Sequence, residues 1–488
     1  MPLPSYRLAG DDATLEAALD AVRTEFDVPT AFPPEVEAEA DEAVDRARAA
    51  AAELPDATEL PFLTIDPPGS MDLDQAMHLE ADREGFRVRY AIADLSVVVR
   101  PGGAIDAETR RRGQTLYLPD ERAPLHPAVL SEGACSLLPG EIRAAYVWDL
   151  RLDAVGELVE AHVRRQRVRS VARYDYGQVQ ALLDGHGEAV DPRTDAQLPL
   201  LARIGELRAV GELARGGASL QIPDQEIDRE PDGSYRLSFR PLVPAEDHNA
   251  QISLLTGMAA ARLMLDGGVG LLRTMPEPAE KDVARFRRQA EALGLPWPAD
   301  LSYGAFLRTL DGFRPRDLAL LHAATGLFRG AGYTPFDGAP PEQDRHSAIA
   351  APYAHVTAPL RRLVDRFDLA ICEALDAGAE APAWVREALP ELPPLMSDSD
   401  RRASSVARAC TDAAEAAELA HRVGETFDAV VVEDRGEKGL VVQLADPAVV
   451  GRAGGHADLG ARVPVTLREA RIAERRVRFE VAAPGSCA

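Results

Sequence analysis

The sequence predicts an α+β protein in three parts: a short helical N-terminal region (1–55), a mixed α/β middle domain (56–423) and a C-terminal all-β barrel of the OB type (424–488). Three observations predict it. The first stretch is rich in alanine and glutamate, the chain turns β-branched and aromatic after residue 55, and the last stretch crowds short strand patterns together. Taken in order, "DDATLEAALDAVRTEF" opens on acidic residues suited to a helix's first turn, and "PPEVEAEADEAVDRARAAAAEL" starts on a proline pair. These predict helices over 11–28 and 34–54. "PFLTID" and "FRVRYAIADLSVVV" read as strands, as does part of "ELVEAHVRRQRVRSVAR" (157–173), where period two puts Arg165, Arg167 and Arg169 on one face. Helical patterns follow over 199–219, 246–294, 359–377 and 399–422, with "PPEQD" and "ELPPLMSDSD" as polar or proline-rich connections. "GGVGLL" (267–272) carries only part of a nucleotide-binding turn and is expected to link a helix to a strand. "TFDAVVVEDRGEKGLVVQL" and "ARVPVTLREARIAERRVRFEVA" complete the chain with about five short strands, the number of a small closed OB barrel.

Composition narrows the class. With 488 residues, 46% of them hydrophobic, the chain can bury a large core without a disulfide or metal staple. Cys135, Cys372, Cys410 and Cys487 are scattered with no C-x-x-C pair, which points away from a disulfide framework or structural zinc and toward a reducing compartment. No basic segment leads into an apolar run at the N-terminus, and no stretch approaches the ~18 apolar residues of a membrane span. A cytoplasmic monomer without membrane contact is expected. The net charge of −25 excludes a protein that coats nucleic acid nonspecifically, yet a local basic channel suffices for a nucleic-acid enzyme. Apart from Lys281 and Lys438 every side-chain ammonium is replaced by arginine, which suits phosphate contacts and base stacking, although codon bias produces the same excess.

The chemistry concentrates in "TIDPPGSMDLDQA" (64–76), where Asp66, Asp72 and Asp74 fall within nine positions. "FLTI" is a strand with Asp66 at its end. Asp72 and Asp74, two apart, point the same way in extended backbone, and the intervening loop can fold them back. Such an all-oxygen cluster suits a hard divalent cation. An EF-hand is ruled out because its fifth ligand position, counted from Asp72, is Ala76. On these residues alone a metal site and an exposed acidic turn stand as equal readings.

The flanking sequence separates them. The stretch resembles the signature T-I-D-P-x-x-A-x-D-x-D-D-A of the ribonuclease II/ribonuclease R (RNB-domain) exoribonuclease family. The resemblance continues through "YAIADLSVVVRPGGAIDAETRRRGQTLYLPDERAPLHPAVLSEGACSLLPGEIR" (90–143), "RSVARYDYGQVQALL" (169–183), "EDHNAQISLLTGMAAARLM" with "GLLRTMPEPAEK" (246–281), and "HSAIAAPYAHVTAPLRRLVDRFDLA" (346–370), in family order. It implies a mixed α/β catalytic RNB domain followed by an RNA-binding OB barrel, degrading single-stranded RNA from its 3′ end to 5′-mononucleotides with Mg²⁺, for which Mn²⁺ can substitute. Asp66, Asp72 and Asp74 match three of four signature aspartates and are the expected metal ligands, with Asp74 also catalytic. Gln75 stands at the fourth and offers a neutral carbonyl, so weaker metal affinity is expected. An RNA-binding protein with a decayed nuclease site is the alternative reading, and a phosphodiesterase that also takes DNA is a third. "HVTAPLRR" matches H-x-T-S-P-I-R-R, which implies that Arg361 faces the scissile phosphate as a catalytic residue and that Arg362 supports the site or binds the RNA backbone; Ala358 replaces the family serine. Tyr117 in "LYLPD" and Tyr176 in "YDYGQV" match residues that stack on or line the substrate pocket. His346, His355 and Asp94 are expected as structural or supporting groups. The family's two leading cold-shock barrels have no counterpart in residues 1–55, so a different RNA entry path is expected.

Overall fold

The computed structural model describes residues 6–7, 12–220, 222, 224–229, 235–240, 242–444 and 446–482. Strands Phe62–Ile65, Gln75–Asp82, Gly85–Ala93, Ile142–Asp153 and Leu158–Tyr174 pair in chain order and close into a barrel. Neighbours are antiparallel until the last strand runs parallel to the first. Period two divides the side chains of Gly85–Ala93 between two cores. Val88, Tyr90 and Ile92 pack with Leu63, Met77, Trp148 and Leu150. Ala91 and Ala93 face the helix Pro34–Glu53, whose buried Ala40, Ala43 and Ala47 sit at three- and four-residue spacing. The barrel is therefore covered on both sides, and its rim is where polar groups gather.

Helices Leu198–Arg215, Pro244–Gly267 and Leu363–Asp376 enlarge the first core. The helix Leu392–Leu419 runs from this body to the C-terminal strands. Val406, Cys410 and Ala413 meet Leu15, Leu19 and Val22 of the N-terminal helix Asp12–Glu25, together with Leu116 and Ala123 of a short hairpin. Beyond it, strands Thr426–Asp434, Leu440–Leu444, Val450–Gly454, Arg462–Arg471 and Arg476–Val481 form a second closed five-stranded barrel. Its third and fifth strands pair in parallel and its first and fourth in antiparallel fashion, the connectivity of an OB barrel.

The structure corrects several expectations. The helical run 246–294 is split by the strand Val269–Thr274, because Gly268 at φ 72° caps the helix and the next residues pair with Gly332–Asp337. The helix expected from 359 begins at Leu363: Thr115 N donates to Arg361 O and Leu363 N to Gly113 O, which draws Arg362 into an extended conformation. "ELPPLMSDSD" is mostly helix rather than a connection, since prolines are tolerated in a first helical turn. Arg165 and Arg167 are structural ion-pair partners of Asp94 and Asp56. Tyr6–Arg7 adds a strand beside Tyr235–Arg240, so the N-terminal region is not purely helical. Cys135, Cys372 and Cys410 are buried free thiols, and Cys487 lies outside the described residues.

The second barrel is not detached from the body. Leu237, Ala414 and Leu419 share its core. At this seam Glu415 is 4% exposed, accepting from Gln225 Nε2 and Val450 N, and burial pushes its carboxyl up to about 8. The folded state thus binds the extra proton, and stability is lost as pH rises from the carboxyl's ordinary value toward 8. Glu415→Gln keeps the acceptor and removes the charge. It should raise stability at pH 9 and change it little at pH 4, measured by urea unfolding.

Candidate active site

The carboxylates lie on the rim of the first barrel. Asp66 follows the strand Phe62–Ile65, and its N–H donates to Tyr174 O. The loop after it is tied down by Ser136, whose Oγ donates to Met71 O at 2.6 Å and accepts from Leu73 N at 2.9 Å. Ala93 N donates to Asp74 O, which sets Asp74 at the start of the Gln75–Asp82 strand. Asp74 Oδ1 accepts from Leu360 N at 2.7 Å, and its Oδ2 lies 3.6 Å from Arg361 Nε. One carboxylate thus anchors a segment almost three hundred residues away. His126 Nδ1 donates to Leu360 O at 3.1 Å and holds the same segment from its other side; burial lowers that imidazole to about 3, so it stays neutral.

Electrostatics tie the group together. Burial raises Asp66 to about 6, opposed by Arg173 and Arg361 and reinforced by Asp72, and its Oδ2 is buried without a hydrogen-bond partner. Burial also raises Asp74 well above the usual carboxylate range, opposed by Arg361 and the Leu360 N–H. Asp72 accepts from Arg122 Nη1 at 2.6 Å. Among the described residues no three acidic, histidine or cysteine side chains converge into a closed cage. Even so, an orphaned buried carboxylate oxygen beside two further carboxylates is the donor chemistry that a hard divalent cation matches. Asp66, Asp72 and Asp74 would hold it.

The other expected residues divide. Arg361 is 44% exposed at its side chain and points to the carboxylates. Tyr117 is 54% exposed and lies near Asp72. Tyr176 is half-buried; its hydroxyl accepts from Asn249 Nδ2, and burial and Asp66 raise it. Arg362 faces away from Asp74 to Asp365, which accepts from its Nε and Nη2 and from Ala358 N. A buried carboxylate thus fills the place a substrate phosphate was expected to take, and Arg362 braces the loop. Gln75, expected as a neutral metal ligand, is engaged at both ends: Nε2 donates to Thr357 O at 2.6 Å and Oε1 accepts from Tyr90 Oη. His355 is half-buried against Tyr333 Oη, and the desolvation of its ring and Arg362 push it well below the usual imidazole range; burial takes His346 down to about 4. Asp94 caps a turn through Ser96 N and binds Arg165. Sequence reading missed Arg122 and Arg173. Only the unusual arginine density of "VRRQRVRSVAR" gave any signal for the latter.

Comparisons with known proteins agree with this architecture. The family model described as "RNB domain" matches residues 55–369, and "RNase II-type exonuclease C-terminal S1 domain" matches 425–482. Ribonuclease R of Escherichia coli (strain K12) is 27% identical over 468 residues, 90% of this chain and 56% of that protein. Exosome complex exonuclease RRP44 of Homo sapiens is 27% identical over 324 residues, 64% of this chain and 33% of that protein. The chain therefore spans about half or less of the length of these relatives. A solved structure, Mycoplasma genitalium RNase R in complex with ribose methylated single-stranded RNA, superposes with a TM-score of 0.86 at 18% identity, covering 96% of this chain and 78% of that one.

Proposed function

Because the chain belongs to the RNB-domain family, we propose that it is a divalent-metal-dependent 3′→5′ exoribonuclease that hydrolyses single-stranded RNA to 5′-mononucleotides in the cytoplasm, acting as a monomer. The observation that carries this reading is that Asp72 lies close enough to both Asp66 and Asp74 for its charge to act on each, with Arg361 beside Asp74. Relatives named as ribonucleases and a structural neighbour solved with single-stranded RNA support it.

Mg²⁺ or Mn²⁺ held by the three aspartates would supply charge neutralisation at the phosphate and a water of lowered pKa. The chain's own groups do the rest. Arg361, fixed by the Leu360 N–H to Asp74 contact, offers a guanidinium where a phosphorane gathers negative charge. Tyr117 and Tyr176 offer ring faces to bases without regard to sequence. Gln75 is a positioning residue, joining the strand start to Thr357 of the loop that carries Arg361. Incubating a 5′-labelled single-stranded RNA with Mg²⁺, Mn²⁺ or EDTA tests the reading. A ladder shrinking from the 3′ end with either metal and intact RNA in EDTA support it; binding without cleavage under every condition refutes it.

RNA approaches along basic surface away from the carboxylates. A groove of about 960 Å³ between the helix Leu392–Leu419 and the second barrel is lined by seven basic side chains, among them Arg408, Lys438, Arg452 and Arg478, against four carboxylates, Asp412, Glu415, Glu437 and Glu474. Arg452 and Arg478 are exposed partners on adjacent parallel strands. Replacing both by alanine should weaken RNA binding about tenfold and flatten its salt dependence by one to two phosphate contacts, roughly 0.7–1.4 in log–log slope. Turnover at saturating RNA should stay at the wild-type value. Filter binding across a salt series together with single-turnover rates reads both.

A further inference from the structure

Arg122 is an unexpected cation at a site built for a metal. Its guanidinium bridges two carboxylates: Nη1 lies 2.6 Å from Asp72 Oδ1 and Nη2 lies 2.5 Å from Glu132 Oε1. The side chains of Arg122, Asp72 and Glu132 are only 28%, 13% and 30% exposed, so solvent screens these charges poorly. The placement is rigid. Arg122 sits in a hairpin opposite Tyr117, and the flanking Leu116 and Ala123 are buried against Leu15, Leu19 and Val406. Asp72 is equally constrained, because Ser136 pins the backbone on both sides of it, at Met71 O and Leu73 N. A cation is therefore held permanently within reach of one of the three carboxylates.

We infer that Arg122 is a built-in competitor of the divalent ion for Asp72, with Glu132 as the acceptor that receives the guanidinium when Asp72 turns to the metal. This rests on the reading that Asp66, Asp72 and Asp74 hold the ion. A guanidinium and a hard divalent cation cannot share one carboxylate oxygen, because each needs its lone pair and its charge. Metal binding at Asp72 requires Arg122 to let go of it. Glu132 makes that release inexpensive, since Arg122 keeps one of its two carboxylate partners instead of becoming a bare, part-buried charge. The released guanidinium stays on the hairpin beside Tyr117, at the mouth of the pocket.

Arg122→Gln and Glu132→Gln should change metal binding in opposite directions, which a merely structural bridge does not predict. Mn²⁺ binding to the full chain, without RNA, is measured by calorimetry and by the free-Mn²⁺ paramagnetic resonance signal. Arg122→Gln should bind Mn²⁺ about five- to tenfold more tightly than wild type, because the competitor is gone. Glu132→Gln should bind it about threefold more weakly, because Arg122 then has Asp72 alone. Arg122→Lys, a point charge without the fork, should fall between Arg122→Gln and wild type and serves where the glutamine variant does not fold. Equal or weaker Mn²⁺ binding by Arg122→Gln, or by Arg122→Lys in its place, overturns the inference while leaving the metal site intact. If wild type binds Mn²⁺ no better than Asp74→Asn does, the metal-site reading itself fails and the inference falls with it.

Discussion

Asp74→Asn should abolish RNA cleavage, lowering the single-turnover rate at saturating RNA by at least about a thousandfold, while RNA affinity stays within about threefold of wild type. Asp74 combines two tasks in one carboxylate. Its Oδ1 accepts from Leu360 N at 2.7 Å, and its Oδ2 faces Arg361 and the other carboxylates. Asparagine preserves the first task, since its carbonyl oxygen still accepts from Leu360 N, so the loop and fold should survive. It removes the second, taking one of three carboxylates from the proposed cation site and the counter-charge from Arg361. The proposed binding surfaces at Tyr117, Tyr176 and the second barrel are untouched. Rates with excess enzyme, binding in EDTA and a thermal melt separate the outcomes. Retained cleavage would mean that Asp74 only ties down Leu360. Loss of cleavage together with folding would mean that the Asp74–Leu360 contact outweighs the chemistry.

Arg361→Ala should lower the turnover rate about a hundred- to a thousandfold and raise KM or Kd by less than about fivefold. A group that meets charge gathering in the transition state affects the rate more than ground-state binding. Arg361 is half exposed, whereas Arg362 beside it is locked to Asp365, so these two neighbours should behave differently. Arg362→Ala leaves Asp365 buried with only the Ala358 N–H and should show chiefly as lost stability. If Arg361→Ala weakens binding alone, Arg361 is a backbone-phosphate contact and the transition-state role is misassigned.

How far the sequence foretold this site can be followed residue by residue. The strand before Asp66 and the second barrel's five strands follow from periodicity, a local property. "HVTAPLRR" was legible as a site segment, but its helix begins after Arg362 because Gly113 and Thr115 pair with it from a distant part of the chain. No propensity contains that pairing. The contacts of Gln75 were hidden for a similar reason. Tyr90 reaches it as a diagonal neighbour set by strand register, in which Gln75 opposes Ile92 and Met77 opposes Tyr90. Arg122 meets Asp72 across fifty positions, through a hairpin whose place depends on the packing of Asp12–Glu25 against Leu392–Leu419. Such partners belong to tertiary structure, and single-sequence reading reaches them only by resemblance.

The central claim is that this rim directs water against a phosphodiester at the 3′ end. Digestion of a defined single-stranded RNA in H₂¹⁸O with Mg²⁺, followed by mass spectrometry of the first released nucleotide, tests it most directly. The account predicts a nucleoside 5′-monophosphate carrying one ¹⁸O on its phosphate, with no product in EDTA. A 3′-phosphate or 2′,3′-cyclic phosphate, or release that continues in EDTA, would contradict it.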